Sequence, residues 1–198
     1  SNKQRVSSEK AMLSSMETMG YRGPDAADYW ENDSADVSLG HLRLSILDPR
    51  PEGTQPMHLE TANGKLTIVF NGEVYNYREI REELILLGYS FETGTDTEVV
   101  LAAYAAWGSS CVEHFNGMFA IAIYNDRSHE IELIRDRLGI KPLYFTINDD
   151  GLFFASEIKA LTSLTNRKYA IEKSLVHDYM DFGFIPGQDT LQTGIKRL

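Results

Sequence analysis

The run Leu-Thr-Ile-Val-Phe, residues 66–70, limits what this chain can fold into more than any other stretch. It is apolar, rich in β-branched residues and short, which suits a buried strand. Just upstream stands Asn63-Gly64, a dipeptide that favours the tight turn of a β-hairpin, and before it the apolar run Met57–Leu59. Just downstream the strand is expected to end in Asn71-Gly72-Glu73, which sets an amide, a bare backbone and a carboxylate side by side at its mouth.

The rest of the chain repeats this hairpin habit. Phe119–Tyr124 and Ile131–Arg135 flank Asn125-Asp126-Arg127, and Leu143–Ile147 and Leu152–Ala155 flank a turn at 148–151. Val37–Leu47 reads as one or two strands. Met12, Leu13, Met16 and Met19 recur at helical spacing, so a helix is expected over 8–19. Asn76 with Glu79 resembles a capping box, opening a helix whose face is Ile80, Leu84 and Leu87. Thr97–Trp107 is a second helix, closed by Gly108, and further helices are expected near 157–163 and 171–181. Strands joined by tight turns, with helices gathered elsewhere, indicate an α+β domain on antiparallel sheets. Beyond about Ser163 the hairpins stop, and 164–198 reads as a helix and a connector.

Charge and cysteine content narrow the function. With 29 acidic against 19 basic residues, the chain carries a net charge of −10, which repels a phosphate backbone and argues against a nucleic-acid partner. No apolar run is long enough to span a membrane. The one cysteine, Cys111, permits no internal disulfide and no cysteine cage for a metal, and points to the cytoplasm. The five histidines lack ligand spacing, so no metal site is expected.

Several residues could carry chemistry, each with a plainer reading beside it. An Asn71 side chain and a Gly72 N–H could converge on a developing oxyanion, with Glu73 holding an ammonium group; the plain reading is an Asn-Gly turn with an exposed acid. Arg43, flanked by apolar residues, could clamp a carboxylate, or simply face solvent. Asp96 could meet an ammonium group, or serve as an N-cap or first-turn acid. The four charges of Arg135-Asp136-Arg137 and Lys141 form a solvated loop or an ion-pair cluster supporting a neighbouring domain. Cys111 with His114 three residues on could be a nucleophile and its base, though a buried inert thiol is the simpler reading.

Taken in order, Arg22-Gly23-Pro24-Asp25, Gly40-His41-Leu42-Arg43-Leu44-Ser45-Ile46, Gln55-Pro56-Met57, Phe70-Asn71-Gly72-Glu73-Val74-Tyr75-Asn76, Asp96-Thr97-Glu98, Asn116-Gly117-Met118-Phe119-Ala120, Arg135–Tyr144 and Phe154–Leu161 form a pattern. It resembles the glutamine amidotransferase domain of glutamine-dependent asparagine synthetases, class II of the amidotransferases. The resemblance implies an N-terminal-nucleophile fold, a four-layer αββα sandwich with two antiparallel sheets, here with its first strand missing. It divides the chain into an N-terminally truncated amidotransferase domain over 1–163 and a segment over 164–198 leading to an absent synthetase domain. It implies hydrolysis of glutamine to glutamate and ammonia, with the ammonia passed to that domain. Asn71 and Gly72 would form the oxyanion hole, Glu73 and Asp96 would receive the α-ammonium, Arg43 would clamp the α-carboxylate, and Leu44, Ser45, Ile46 and Leu47 would line the site. No cofactor is expected in this domain; ATP and magnesium would serve only the synthetase domain.

The chain departs from the family in one respect. The family nucleophile is a cysteine at the mature N-terminus followed by Gly-Ile, and no Cys-Gly-Ile occurs here. Ser1-Asn2 reads as the remnant of a removed tag, and the chain as written is expected not to hydrolyse glutamine. The missing strand would leave an edge open to a second copy, giving a homodimer. Two other readings stand: the amidotransferase domain of a relative with a sugar or natural-product acceptor, and a non-catalytic glutamine-binding module.

Overall fold

The computed structural model describes residues 2–45, 47, 48 and 50–198. Its elements run α1 (Asn2–Thr18), β1 (Ala26–Glu31), β2 (Ser38–Arg43), β3 (Met57–Thr61), β4 (Gly64–Val74), α2 (Tyr77–Leu86), α3 (Asp96–Trp107), β5 (Gly117–Asn125), β6 (Glu130–Arg135), β7 (Tyr144–Asn148), β8 (Gly151–Ala155), α4 (Ile158–Thr165), α5 (Val176–Phe182) and β9 (Lys196–Arg197). Every strand pairing among them is antiparallel, as the α+β reading expects. No helix among the described residues is long and apolar enough to cross a membrane.

Two compact units emerge. The first spans Gly20–Lys141. Its four-stranded sheet has the order β3-β4-β5-β6, with the expected turns at Asn63-Gly64 and after Asn125. Alternate residues of β4 and β5 (Leu66, Ile68, Phe70, Val74, Phe119, Ile121 and Ile123) are buried against Ile80 and Leu84 of α2 and Val99, Val100 and Ala103 of α3. Burying such side chains stabilises by about 1.5–3 kcal/mol each, which is what holds both helices on one face. A separate hairpin, β1-β2, belongs to the same unit.

The second unit joins the residues up to Met19 to Pro142–Leu198. Helix α1 starts earlier than the expected residue 8. It packs on α4, where the Ser15 hydroxyl donates to the Ala160 carbonyl oxygen at 2.9 Å beside the buried Leu161. The tail is more than a connector: β9 pairs with β7 in a sheet of order β8-β7-β9. There the Thr190 hydroxyl donates to Ile195 O at 2.8 Å, and Ile195 is buried.

Candidate active site

The opening tripeptide is neither a turn nor a strand's mouth: β4 continues through it to Val74. Gly72 stands opposite Phe119. A Cβ on Gly72 would collide with Met118 O and lie 2.7 Å from Phe119 Cα, so only glycine fits there. Phe119 turns its main chain towards β6, accepting from Asp136 N–H at 2.8 Å and donating to Asp136 Oδ2 at 3.2 Å. It is therefore not hydrogen-bonded to Gly72, because main-chain groups alternate in direction along a strand. Tyr75 N–H, by contrast, reaches Asn116 O at 2.8 Å on the β5 side. Phe70, Gly72 and Val74 consequently direct their N–H groups to the opposite edge, past the end of β3 at Met57 opposite Ile68. Side chains occupy two of those three positions: Gln55 Oε1 accepts from Phe70 N–H at 2.6 Å, and Asp96 Oδ2 from Val74 N–H at 3.0 Å. The Gly72 N–H lies between them on the same edge. The side chains of Asn71 and Glu73 share the sheet face opposite the helical core, since Phe70 and Val74 occupy the other.

Arg43 closes β2 and does not face solvent: it is 7% exposed. Its Nη1 donates to Arg50 O at 2.9 Å and its Nη2 to Asp48 O. A Cβ on Gly53 would collide with Nη2 and lie 2.9 Å from Thr95 Cγ2, so the guanidinium and the residue preceding α3 both press on that glycine. Among the described residues no carboxylate lies within ion-pair distance of the Arg43 guanidinium. The Asp48 carboxylate binds the loop after β2 to the turn before α3, accepting from Gly94 N–H at 2.7 Å. Hydrogen bonds from the Arg50 side chain and then Gly94 N–H hold it well below the usual carboxylate range.

Asp96 is the first residue of α3. Thr95 is the N-cap, its hydroxyl accepting from Glu98 N–H at 3.3 Å. Burial pushes the Asp96 carboxyl up to about 6; main-chain N–H groups of Val74, Asp96 and Thr97 oppose the shift, and the nearby charge of Glu73 adds to it. The two acids proposed for one ammonium group therefore do lie close enough to repel each other. His41 borders the same strand, its Nε2 3.2 Å from Phe70 O. Burial, opposed by that contact and assisted by the charge of Arg43, lowers its pKa to about 4, so the ring is neutral at pH 7 and its Nε2–H donates to Phe70 O. The buried Nδ1 has no hydrogen-bond partner among the described residues.

Arg43, Gly72, Glu73 and Asp96 thus border one neighbourhood at the edge of β4, with Asn71 on the same strand. The loop residues are less clearly assembled. Leu44 is 55% exposed, Ser45 N–H donates to Asp25 Oδ2 at 2.7 Å, Leu47 is half-buried, and Ile46 lies outside the described residues. Cys111 sits in a 3-10 turn, Gly108–Glu113. Its burial and the charge of Glu132 push the thiol up to about 12, while the His114 ring stacks on Trp107 at 4.0 Å. A thiol that resists ionisation is a poor nucleophile. Gln55, with its three hydrogen bonds, stood in the sequence only as part of a motif; lying in a loop between breakers, it offers no periodicity that would single it out.

A family model described as "Glutamine amidotransferase domain" matches residues 2–198. Among curated proteins, the chain is 42% identical over 178 residues to "Asparagine synthetase [glutamine-hydrolyzing] 1" of Bacillus subtilis (strain 168), covering 90% of this chain and 27% of that protein. It is 36% identical over 193 residues to "Asparagine synthetase [glutamine-hydrolyzing] 3" of the same organism, covering 98% and 30%. The chain thus spans about a third or less of the length of these relatives. Among solved structures, glutamine phosphoribosylpyrophosphate amidotransferase from B. subtilis, complexed with ADP and GMP, superposes with a TM-score of 0.68 at 21% identity, covering 79% of this chain and 41% of that one. This likeness in fold agrees with the four-layer sandwich expected of the chain.

Proposed function

The chain belongs to the glutamine amidotransferase domain family, and from that premise we propose that the β4 edge binds free L-glutamine and presents its side-chain amide for hydrolysis to glutamate and ammonia. The observation that carries this reading is the buried Arg43 guanidinium, which no carboxylate neutralises among the described residues, packed with Thr95 against Gly53 at the start of α3, where the next residue is the buried Asp96. An amino acid brings the missing charges at both ends: its carboxylate meets Arg43, and its ammonium relieves Glu73 and Asp96. Each such charged hydrogen bond is worth about 1.5–3 kcal/mol. The Gly72 N–H and the Asn71 side chain then face the amide, where a tetrahedral oxyanion would need two neutral donors.

In the longer protein the ammonia would pass to a synthetase portion that amidates aspartate; the names of the two B. subtilis relatives support that acceptor. No cofactor is asked of this domain, and ATP and magnesium would serve the synthetase portion. Work in the cytoplasm belongs to the same proposal, supported by a single, buried, free cysteine.

Isothermal titration of the chain with L-glutamine tests the binding step. Saturable binding is expected, weakened by about tenfold or more in Arg43→Ala. Equal affinity in the two proteins would overturn the assignment of the carboxylate clamp.

A further inference from the structure

The sheet is missing a rung where the site begins. Strand β3 leaves β4 at Ile68, so among the described residues the main chain of Phe70 has no strand paired on that side. The Gln55 side chain supplies the rung instead. Its Oε1 accepts from Phe70 N–H at 2.6 Å and its Nε2 donates to Phe70 O at 3.2 Å, as a paired main-chain residue would. The second Nε2 hydrogen reaches Thr97 Oγ1 at 3.1 Å, one residue beyond Asp96. Gln55 is 6% exposed and Thr97 4%, so water competes for neither bond. One primary amide therefore ties the residue before Asn71 to the residue after Asp96, and only a group with one acceptor and two donors can do so.

We propose that Gln55 is a positioning residue that, through Thr97, fixes the distance between the strand segment facing the substrate amide and the acid that receives the ammonium group. It touches no substrate. Its effect falls on discrimination for the α-ammonium group, because Gln55 bonds directly to Thr97, next to Asp96, while the hydrogen bonds of Arg43 go to the carbonyls of Asp48 and Arg50. The inference rests on the glutamine reading above.

The test compares the affinity of the chain for L-glutamine with that for 4-carbamoylbutanoate, the same molecule without its ammonium group. Wild type is expected to prefer glutamine. Thr97→Val, which keeps the shape and removes only the hydroxyl link, is expected to lower that preference by about fivefold to tenfold while the affinity for 4-carbamoylbutanoate stays put. Thr97→Ser, retaining the hydroxyl, should restore it. Gln55→Glu, which keeps the acceptor and removes both donors, should lower the preference at least as far. Should Gln55→Glu fail to fold, the two Thr97 variants decide. Equal weakening of both ligands in Thr97→Val, or an unchanged preference, would overturn the positioning role and leave the glutamine reading intact. A wild type that binds glutamine no better than 4-carbamoylbutanoate would overturn the ammonium site itself, and this inference with it.

Discussion

Asp96 and Asp136 are each 6% exposed, yet their carboxyls shift in opposite directions: Asp136 accepts from Phe119, Ile140 and Lys141 N–H at 2.8–3.2 Å, and Asp96 from Val74 N–H at 3.0 Å. At Asp136 burial opposes ionisation, but the N–H groups of Lys141, Ile140 and Phe119 outweigh it, and the charge of Arg135 adds to them. Arg135 in turn donates to Lys141 O at 2.6 Å and to Gly139 O, so the 135–141 loop is caged by its own two charges. At Asp96 burial wins, and the neighbouring charge is Glu73, of the same sign. The first acid has been completed by the fold. The second has no cation in ion-pair distance among the described residues, which is what the proposed ammonium site requires.

The largest effect expected of this contrast is on folding. Asp136→Ala strips the acceptor from three main-chain donors, two of them in the loop and one in β5, and should cost about 4 kcal/mol in urea unfolding, since each orphaned buried donor costs roughly 1–3 kcal/mol. Asp96→Asn should cost far less at neutral pH, or stabilise. If the two variants destabilise equally, both acids are structural and the contrast collapses.

The pH dependence of stability sharpens the same contrast, with a smaller effect. The raised pKa of Asp96 means that the folded state holds its proton more tightly than the unfolded chain. That stabilisation is fully present below about 3.8 and is lost as pH rises through about 6. Between those values wild type should lose stability relative to Asp96→Asn by an amount on the order of 3 kcal/mol at most. Asp136, with its pKa lowered, contributes stability that is present above the ordinary carboxylate value and lost only as pH falls below it. Unfolding curves at several pH values between 4 and 7 that run parallel for wild type and Asp96→Asn would remove the claim that Asp96 is held at a cost.

Local pattern reveals one member of this pair's surroundings better than the other. The hairpins and the helices of the first unit are legible because turn dipeptides and apolar periodicity are written into adjacent residues. Strand β1 is not: Ala26-Ala27-Asp28-Tyr29-Trp30-Glu31 shows no clean alternation, and its pairing with β2, Ala26 opposite Arg43 and Glu31 opposite Ser38, makes it a strand. Asn76 looks like a cap, but its side chain makes no cap bond. It donates instead to His114 O and accepts from Asn116 N–H, both at 2.9 Å, because the chain returns beside it from far along the sequence. The charged loop after β6 is visible as a cluster of charges, but nothing local says that main-chain groups of the same loop will meet Arg135 and Asp136. The convergence of Arg43, Gly72, Glu73 and Asp96 is likewise invisible to spacing; only the ordered family motifs suggest it, and the direction of the Gly72 N–H follows from register alone.

Cys111 supplies the mildest and most discriminating test of what a shifted pKa means. Its thiol is displaced further than Asp96, up to about 12, by burial and by the charge of Glu132. If displacement alone marked a functional group, Cys111 would outrank Asp96. The surroundings say otherwise: Cys111 is packed among apolar residues such as Val99, Leu101 and Phe115, whereas Asp96 holds the edge of a strand whose neighbouring N–H points outwards. Cys111→Ala should therefore leave the affinity for glutamine unchanged within about twofold and cost about 1 kcal/mol of stability, the ordinary effect of a small deletion in a packed core. The wild-type thiol should resist alkylation until the chain is unfolded in urea, because the thiolate is the reactive form. A marked loss of glutamine affinity in Cys111→Ala would mean that the shift itself, and not the gathering of opposite charges, locates the site.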